Sequence, residues 1–318
     1  MARHTKLSNY SLNEFRILVR KALMLDKSED AMFFAIPEAA WAMVFEKNFN
    51  NDLAYATRVI TQDQNTTHVQ AAMLERVKRN IDNFDRAIDL IYSAVNDNRP
   101  ILFVTDYDND GSLSQSVINE FRSLFGQDVR DNIFVEYASN GKERGFTANL
   151  IEQLANTYGI DKKDEFLIVT ADNGINSLVE QKKINKMFPN ANLLITDHHN
   201  PEEGMFIKEN DKTVVFNPHY FALEYAPQEV LDTRRIKETN ARTEAYDFFR
   251  ENNISGASTI AVLLKEFVHN ALDNATGQGK ERYIEALRRM DRLSRFSNMV
   301  DYVETHPADK PVNIKEID

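Results

Sequence analysis

With 318 residues the chain can form one large domain or two ordinary ones, and 42% hydrophobic residues are enough for a substantial core. It contains no cysteine, which excludes disulfides, zinc–thiolate sites and a cysteine nucleophile, so any metal must be held by oxygen and imidazole. The formal charge of −11 argues against a surface that clamps nucleic acid throughout, because such affinity comes mainly from lysine and arginine on phosphates, although carboxylates awaiting cations also count as negative.

The N-terminal MARHTKLSNYSLNEF lacks the apolar run of a secretion signal, and no stretch of about 18 apolar residues occurs, so no membrane association and a cytoplasmic location are expected. The first hundred or so residues have helical spacing: SLNEFRILVRKALML, PEAAWAMVFEKNF with Pro37 suited to a first turn, and a long stretch from Thr67 to Asn96 that Asn98 to Pro100 ends. Basic residues gather at Arg16, Arg20 and Lys21, at Arg76, Lys78 and Arg79, and in KERYIEALRRMDRLSR, and each group reads as a solvated helix face.

From Pro100 the texture changes. Short β-branched runs, ILFVT, IFVEY, FLIVTA, NLLIT and TVVF, alternate with helical stretches. Runs so uniformly apolar are covered on both faces, which predicts an α/β fold with a parallel sheet of about five strands flanked by helices. The expected organisation is a helical N-terminal region over 1–98, packed on a sheet domain over 99–318 that carries a charged helical insertion at about 221–253. Two C-terminal helices complete it, one after NISGAS and one from Glu281 to Val303.

Directly after ILFVT comes Asp106-Tyr107-Asp108-Asn109-Asp110-Gly111, three carboxylates at alternate positions at the carboxyl end of a strand, the edge where open α/β sheets bind ligands. Carboxylates so crowded repel unless cations neutralise them, which makes a metal site the physical reading and leaves a solvated acidic turn as the rival. A calcium-binding EF-hand loop also opens D-x-D-x-D-G, but it needs a glutamate at its twelfth position and a preceding helix, whereas Val117 stands there and a strand precedes. After FLIVTA comes Asp172-Asn173-Gly174-Ile175, alone an ordinary turn between strand and helix. After NLLIT comes Asp197-His198-His199-Asn200-Pro201, alone compatible with a surface turn; imidazole is a common metal ligand and a carboxylate beside it can orient its other nitrogen. All three motifs fall at one sheet edge.

DYDNDG, ADNGI and TDHHN, in this order and each behind a strand, resemble motifs I to III of the DHH phosphoesterases, and DYDNDG in particular is similar to the RecJ exonuclease branch. Downstream, Asn217-Pro218 resembles that branch's Asn-Pro turn, Ser255-Gly256-Ala257 its small-residue segment, and FSNMVDYVE the strip ending in its last metal ligand, which makes Asp301 that ligand. KERGF, with Arg144, is a weaker echo of its substrate-contacting loop. The likeness runs from Pro100 to Glu304, close through Asn200 and looser beyond.

The resemblance implies two divalent cations, Mn²⁺ or Mg²⁺, with Asp108 and Asp172 on one, Asp110, Asp172, His198 and Asp301 on the other, and Asp106 either joining the first site or orienting it. Mixed carboxylate and imidazole ligands favour Mn²⁺. His199 would donate to the scissile phosphate and Asp197 would brace the histidines. Substrate contacts are expected from Arg144, Lys142, His219 and the backbone amides at Ser255, Gly256 and Ala257 at a helix start, with Phe146 or Tyr220 as stacking aromatics. Fewer than twenty residues follow Asp301, so the domain that closes over the substrate in that branch is not expected in this chain, which is then either a compact variant or one whose lid comes from a protein partner. The implied activity is 5′-to-3′ exonuclease action on single-stranded DNA. The alternatives are a related activity on short oligonucleotides or cyclic dinucleotides, and a non-catalytic replication or repair accessory.

Overall fold

A computed structural model describes residues 9–22, 41, 42, 45, 53, 54, 56, 83–138, 145–219, 254–273 and 275–305. The expected insertion at 221–253, the segment 67–82 of the third expected helix, and most of PEAAWAMVFEKNF lie outside the described residues.

Each of the apolar runs read from the sequence is a strand: β1 (Ile101–Thr105), β2 (Ile133–Tyr137), β3 (Leu167–Ala171), β4 (Asn192–Thr196) and β5 (Thr213–Phe216). They form one five-stranded sheet in the order β2-β1-β3-β4-β5, with every strand pairing parallel. Strands β1 and β3 are buried along their whole length, as a central strand covered on both faces must be. The outer strand β2 is more exposed, and Tyr137 at its end reaches solvent.

Helix α1 (Asn9–Ala22) and α2 (Phe84–Asn96) precede the sheet. Between strands lie α3 (Asn109–Ser123), the short α4 (Gln127–Arg130), α5 (Ala148–Thr157) and α6 (Leu178–Met187). Then α7 (Gly256–Leu272) and α8 (Gly277–Thr305) close the fold. Because strand side chains alternate between faces, the sheet serves two cores. Ile101, Phe103, Val169 and Leu194 point to a layer of α2, α3, α7 and α8, whereas Leu102, Val104, Ile168 and Ile195 point to α5 and α6. The first crossover, through α3, steps outward from β1 to β2, and those through α5 and α6 step the other way, so right-handed connections must place them on opposite faces.

Helix α7 is buried from Gly256 to Val268 and lies inside the helical layer rather than on it. Phe267 on α7 stacks on Tyr92 of α2 at 4.3 Å and meets Phe121 of α3 edge-on at 5.1 Å, contacts worth about 0.5–1.5 kcal/mol each. Helix α2 therefore joins the sheet's own core through Phe84, Ile88 and Ile91, although it precedes residue 98. A separate cluster sets Phe15 of α1 against Phe45 at 4.5 Å and Trp41 at 6.2 Å.

Candidate metal centre

Register places the acids. The last paired row across the sheet is Thr105, Ala171, Thr196 and Phe216, so the next residue of each strand is Asp106, Asp172, Asp197 and Asn217. The ladder continues one step into these turns: Asp106 N–H donates to Ala171 O at 3.2 Å, Asp172 N–H to Thr196 O at 3.0 Å, and Asp197 N–H to Phe216 O at 3.4 Å. With parallel strands about 4.8 Å apart, the row sets the carboxylates side by side at the carboxyl edge. It spans the β1/β3 switch point, where the chain's direction of travel through the sheet reverses.

The turns then aim each side chain. Asp108 caps α3, its carboxylate accepting from Gly111 N–H at 2.9 Å. A Cβ at Gly111 would lie 2.2 Å from Asp106 O, so only glycine lets α3 start this close to the strand end. Asp172 has φ of 65°, a left-handed conformation that aspartate and asparagine tolerate better than most residues and that collects at functional turns. Asn173 Nδ2 secures that turn by donating to Val104 O at 3.1 Å and Ala171 O at 2.9 Å.

The histidine turn is braced by Asp197, whose buried carboxylate accepts from His198 N–H at 2.7 Å, His199 N–H at 3.1 Å and Ile175 N–H at 2.9 Å. His199 Nδ1 lies 2.7 Å from Asp197 Oδ1, and its side chain is 53% exposed, so the imidazole is anchored at one nitrogen and faces outward. Asn217 Nδ2 donates to His199 O at 3.0 Å, which ties this turn to the end of β5.

His198 turns inward. Its Nε2 is 3.0 Å from Asp172 Oδ1 and 3.7 Å from Asp110 Oδ2, and its Nδ1 is 4.0 Å from Asp301 Oδ2. Three overlapping groups can each converge on a cation: Asp106, Asp108 and Asp172; Asp110, His198 and Asp301; and Asp172, His198 and His199. Asp172 is shared by the first and last of these, and His198 by the last two.

Burial and mutual repulsion disturb these groups as expected for a cation site without its charge. Asp172 is pushed well above the usual carboxylate range by burial and then by Asp110, Asp108 and Asp197. Burial also raises Asp110, against the pull of His198, and lifts Asp301 to about 6. Asp106 rises through burial. Asp197 behaves oppositely: burial works to raise it, but the bond to His199 and the charges of both histidines bring it below the usual range. The same bond lifts His199 to about 9. Burial would lower His198, but Asp110, Asp301 and Asp197 outweigh it and raise it.

Both oxygens of Asp172 are buried, and no hydrogen bond among the described residues reaches either one; His198 Nε2 lies 3.0 Å from Oδ1. An ionised carboxylate so buried and so crowded by other acids is stabilised by a cation. Hard oxygen donors with imidazole are a ligand set for a divalent cation.

The backbone amides at the start of α7, expected to contact substrate, are engaged within the protein. Gly256 N–H donates to Asp110 Oδ2 at 2.6 Å and Ala257 N–H to Asp110 Oδ1 at 3.2 Å, while Ser255 N–H donates to Asn298 Oδ1 at 2.9 Å. These amides are buried and engaged, so the positive end of the helix serves the protein's own carboxylate. A Cβ on Gly256 would come within 2.4 Å of Asp172, which explains the small residue. Phe146 is buried in the core shared with α5 and α6, not offered to a base. His219 lies beside the cluster, half-buried, its amide bonded to Asn217 Oδ1 at 2.7 Å; burial and then His198 pull its imidazole down to about 4. Lys142, Arg144 and Tyr220 lie outside the described residues. Sequence reasoning missed Ser297 and Asn298 of α8, which bond to Asp110 and to Ser255; the signal was present as polar residues at helical spacing leading to Asp301.

The chain is 28% identical over 152 residues to the single-stranded-DNA-specific exonuclease RecJ of Dickeya dadantii (strain 3937), a match covering 48% of this chain and 24% of that relative. The matched region thus spans about a quarter of the relative's length. Among solved structures, a manganese-bound exonuclease RecJ aligns over 71% of this chain and 65% of its own at 16% identity and a TM-score of 0.34. A DHH domain described as a member of the s1p family of ribosomal proteins aligns over 73% and 53% at 18% identity and 0.35. No family model matches the chain. The three turns in their order behind parallel strands, and the acids and histidines they bring together, are similar to those of the DHH phosphoesterases. Over its matched region the chain is similar to RecJ. Among the described residues no helix is long and apolar enough to cross a membrane.

Proposed function

We propose that this protein hydrolyses phosphodiesters with two divalent cations, Mn²⁺ or Mg²⁺, and acts as a 5′-to-3′ exonuclease on single-stranded DNA. The observation that carries the reading is Asp172: a buried carboxylate with no hydrogen bond among the described residues, set between one ligand group containing Asp106 and Asp108 and another containing His198. A carboxylate so placed can bridge two ions. Asp106, Asp108 and Asp172 would hold one, and Asp110, His198 and Asp301, with Asp172, the other.

Such ions, when bound, make a water nucleophilic at neutral pH and offset the charge that develops at phosphorus, so no protein nucleophile is required. The chain's own residues do the rest. His199, raised to about 9 by Asp197, is an imidazolium at neutral pH whose outward edge can donate to a phosphate oxygen. Asp197 keeps that ring in one orientation. Asp110 is fixed by the amides of α7.

The test is digestion of single-stranded DNA labelled at its 5′ or its 3′ end, in Mn²⁺, beside duplex DNA, a dinucleotide and an Asp110→Ala control. Mononucleotide release from the 5′ end of long strands, lost in the variant, is the expected result. Cleavage of the dinucleotide alone would replace it with a short-substrate phosphodiesterase. Mn²⁺ binding without turnover on any of these would make the protein a non-catalytic accessory.

A further inference from the structure

Helix α8 carries Ser294, Ser297, Asn298 and Asp301 at positions i, i+3, i+4 and i+7, a spacing that puts them on one stripe. All four are buried, at 5%, 0%, 3% and 7% exposure. A buried polar stripe is unfavourable unless its groups are bonded, and here the bonds lead to the acid cluster. Ser297 Oγ donates to Asp110 Oδ1. Asn298 Oδ1 accepts from Ser255 N–H at 2.9 Å and from Ser258 Oγ at 2.7 Å, which pins the first turn of α7. That turn supplies the two amides holding the same Asp110 carboxylate.

We infer that Ser297 and Asn298 are positioning residues for the metal centre: Ser297 fixes Asp110 directly, Asn298 fixes the amides that hold it, and their shared stripe sets the register in which α8 presents Asp301. Asp110 and Asp301 belong to one ligand group with His198 although they come from helices at opposite ends of the domain's sequence. Within this group α8 contacts Asp110 through Ser297, so the seam links two ligands as well as burying a helix. The inference rests on the cation reading of the cluster.

Mn²⁺ affinity by calorimetry, with a thermal melt of each metal-free protein, tests it on wild type, Ser297→Ala, Asn298→Ala and the core variant Ile118→Val, which touches no ligand. The expected result is a loss of about 10-fold or more in affinity for each seam variant, typical of residues that orient metal ligands, with Ile118→Val unchanged whatever its melting temperature. Wild-type affinity in both folded seam variants would overturn the inference and leave the cation reading standing. Variants unfolded at room temperature without metal would overturn it too, in favour of a purely structural seam. If wild type binds no Mn²⁺, the cation reading itself fails and takes the inference with it.

Discussion

Asp172 carries the tension in this site. It is buried, set at φ of 65°, and crowded by Asp108, Asp110 and Asp197, so the metal-free protein holds it at a cost. Asparagine adopts the same backbone readily and has no charge to repel. Asp172→Asn should therefore stabilise the metal-free protein by about 0.5–2 kcal/mol in a denaturant melt while abolishing activity and weakening Mn²⁺ binding severely; an unchanged melt would show the carboxylate to be less strained than its surroundings imply. Asp301 gives a pH signature. Its carboxyl is raised to about 6, chiefly by burial, so the native state favours the protonated form. The associated stability is full below the unfolded value near about 4 and is lost as pH rises through about 6. Relative to Asp301→Asn, metal-free wild type should thus lose on the order of 3 kcal/mol between pH 4 and 7. Parallel melts of the two proteins across that range measure it.

At the scale of elements, the start of α7 is the tightest joint. Gly256 sits where a Cβ would lie 2.4 Å from Asp172, and its amide holds Asp110. Gly256→Ala must push α7 away from the sheet edge or turn Asp172 aside. We expect it to cost about 1–3 kcal/mol in chemical denaturation, as overpacking does, and to weaken Mn²⁺ binding as well. A loss of stability with unchanged metal affinity would mean that the helix yields and the carboxylate stays. The strands were legible as strands because continuous apolar, β-branched runs leave little alternative. The joint was not, since SGAS reads from sequence as any small-residue helix start, and only the approach of Asp110 decides which partner its amides take.

For the whole molecule, the acid cluster joins the ends of β1, β3 and β4 with α3 and α8, so a cation bound there adds a further tie to segments already linked by the sheet ladder and by Ser297 on Asp110. A ligand that binds only the native state stabilises it in proportion to its excess over Kd, by about 2.7 kcal/mol at a hundredfold excess. Mn²⁺ should raise the unfolding midpoint and a chelator should return it to the metal-free value, with a larger gap at pH 7 than at pH 5 because protons compete for the same carboxylates; scanning fluorimetry reads both. By itself the sequence determined the parallel α/β core, the three acid-bearing turns and their shared sheet edge, because a strand's apolar run and the polar turn after it are local properties of the chain. Tertiary structure alone decided that β1 and β3 lie side by side, that Asp106, Asp172 and Asp197 fall in one row, that α2 belongs to the sheet's core, and that the α7 amides face Asp110. Those outcomes depend on which strand pairs with which and on how far one helix can approach another, and the polar spacing on α8 does not by itself say that Ser297 meets Asp110, 187 positions away.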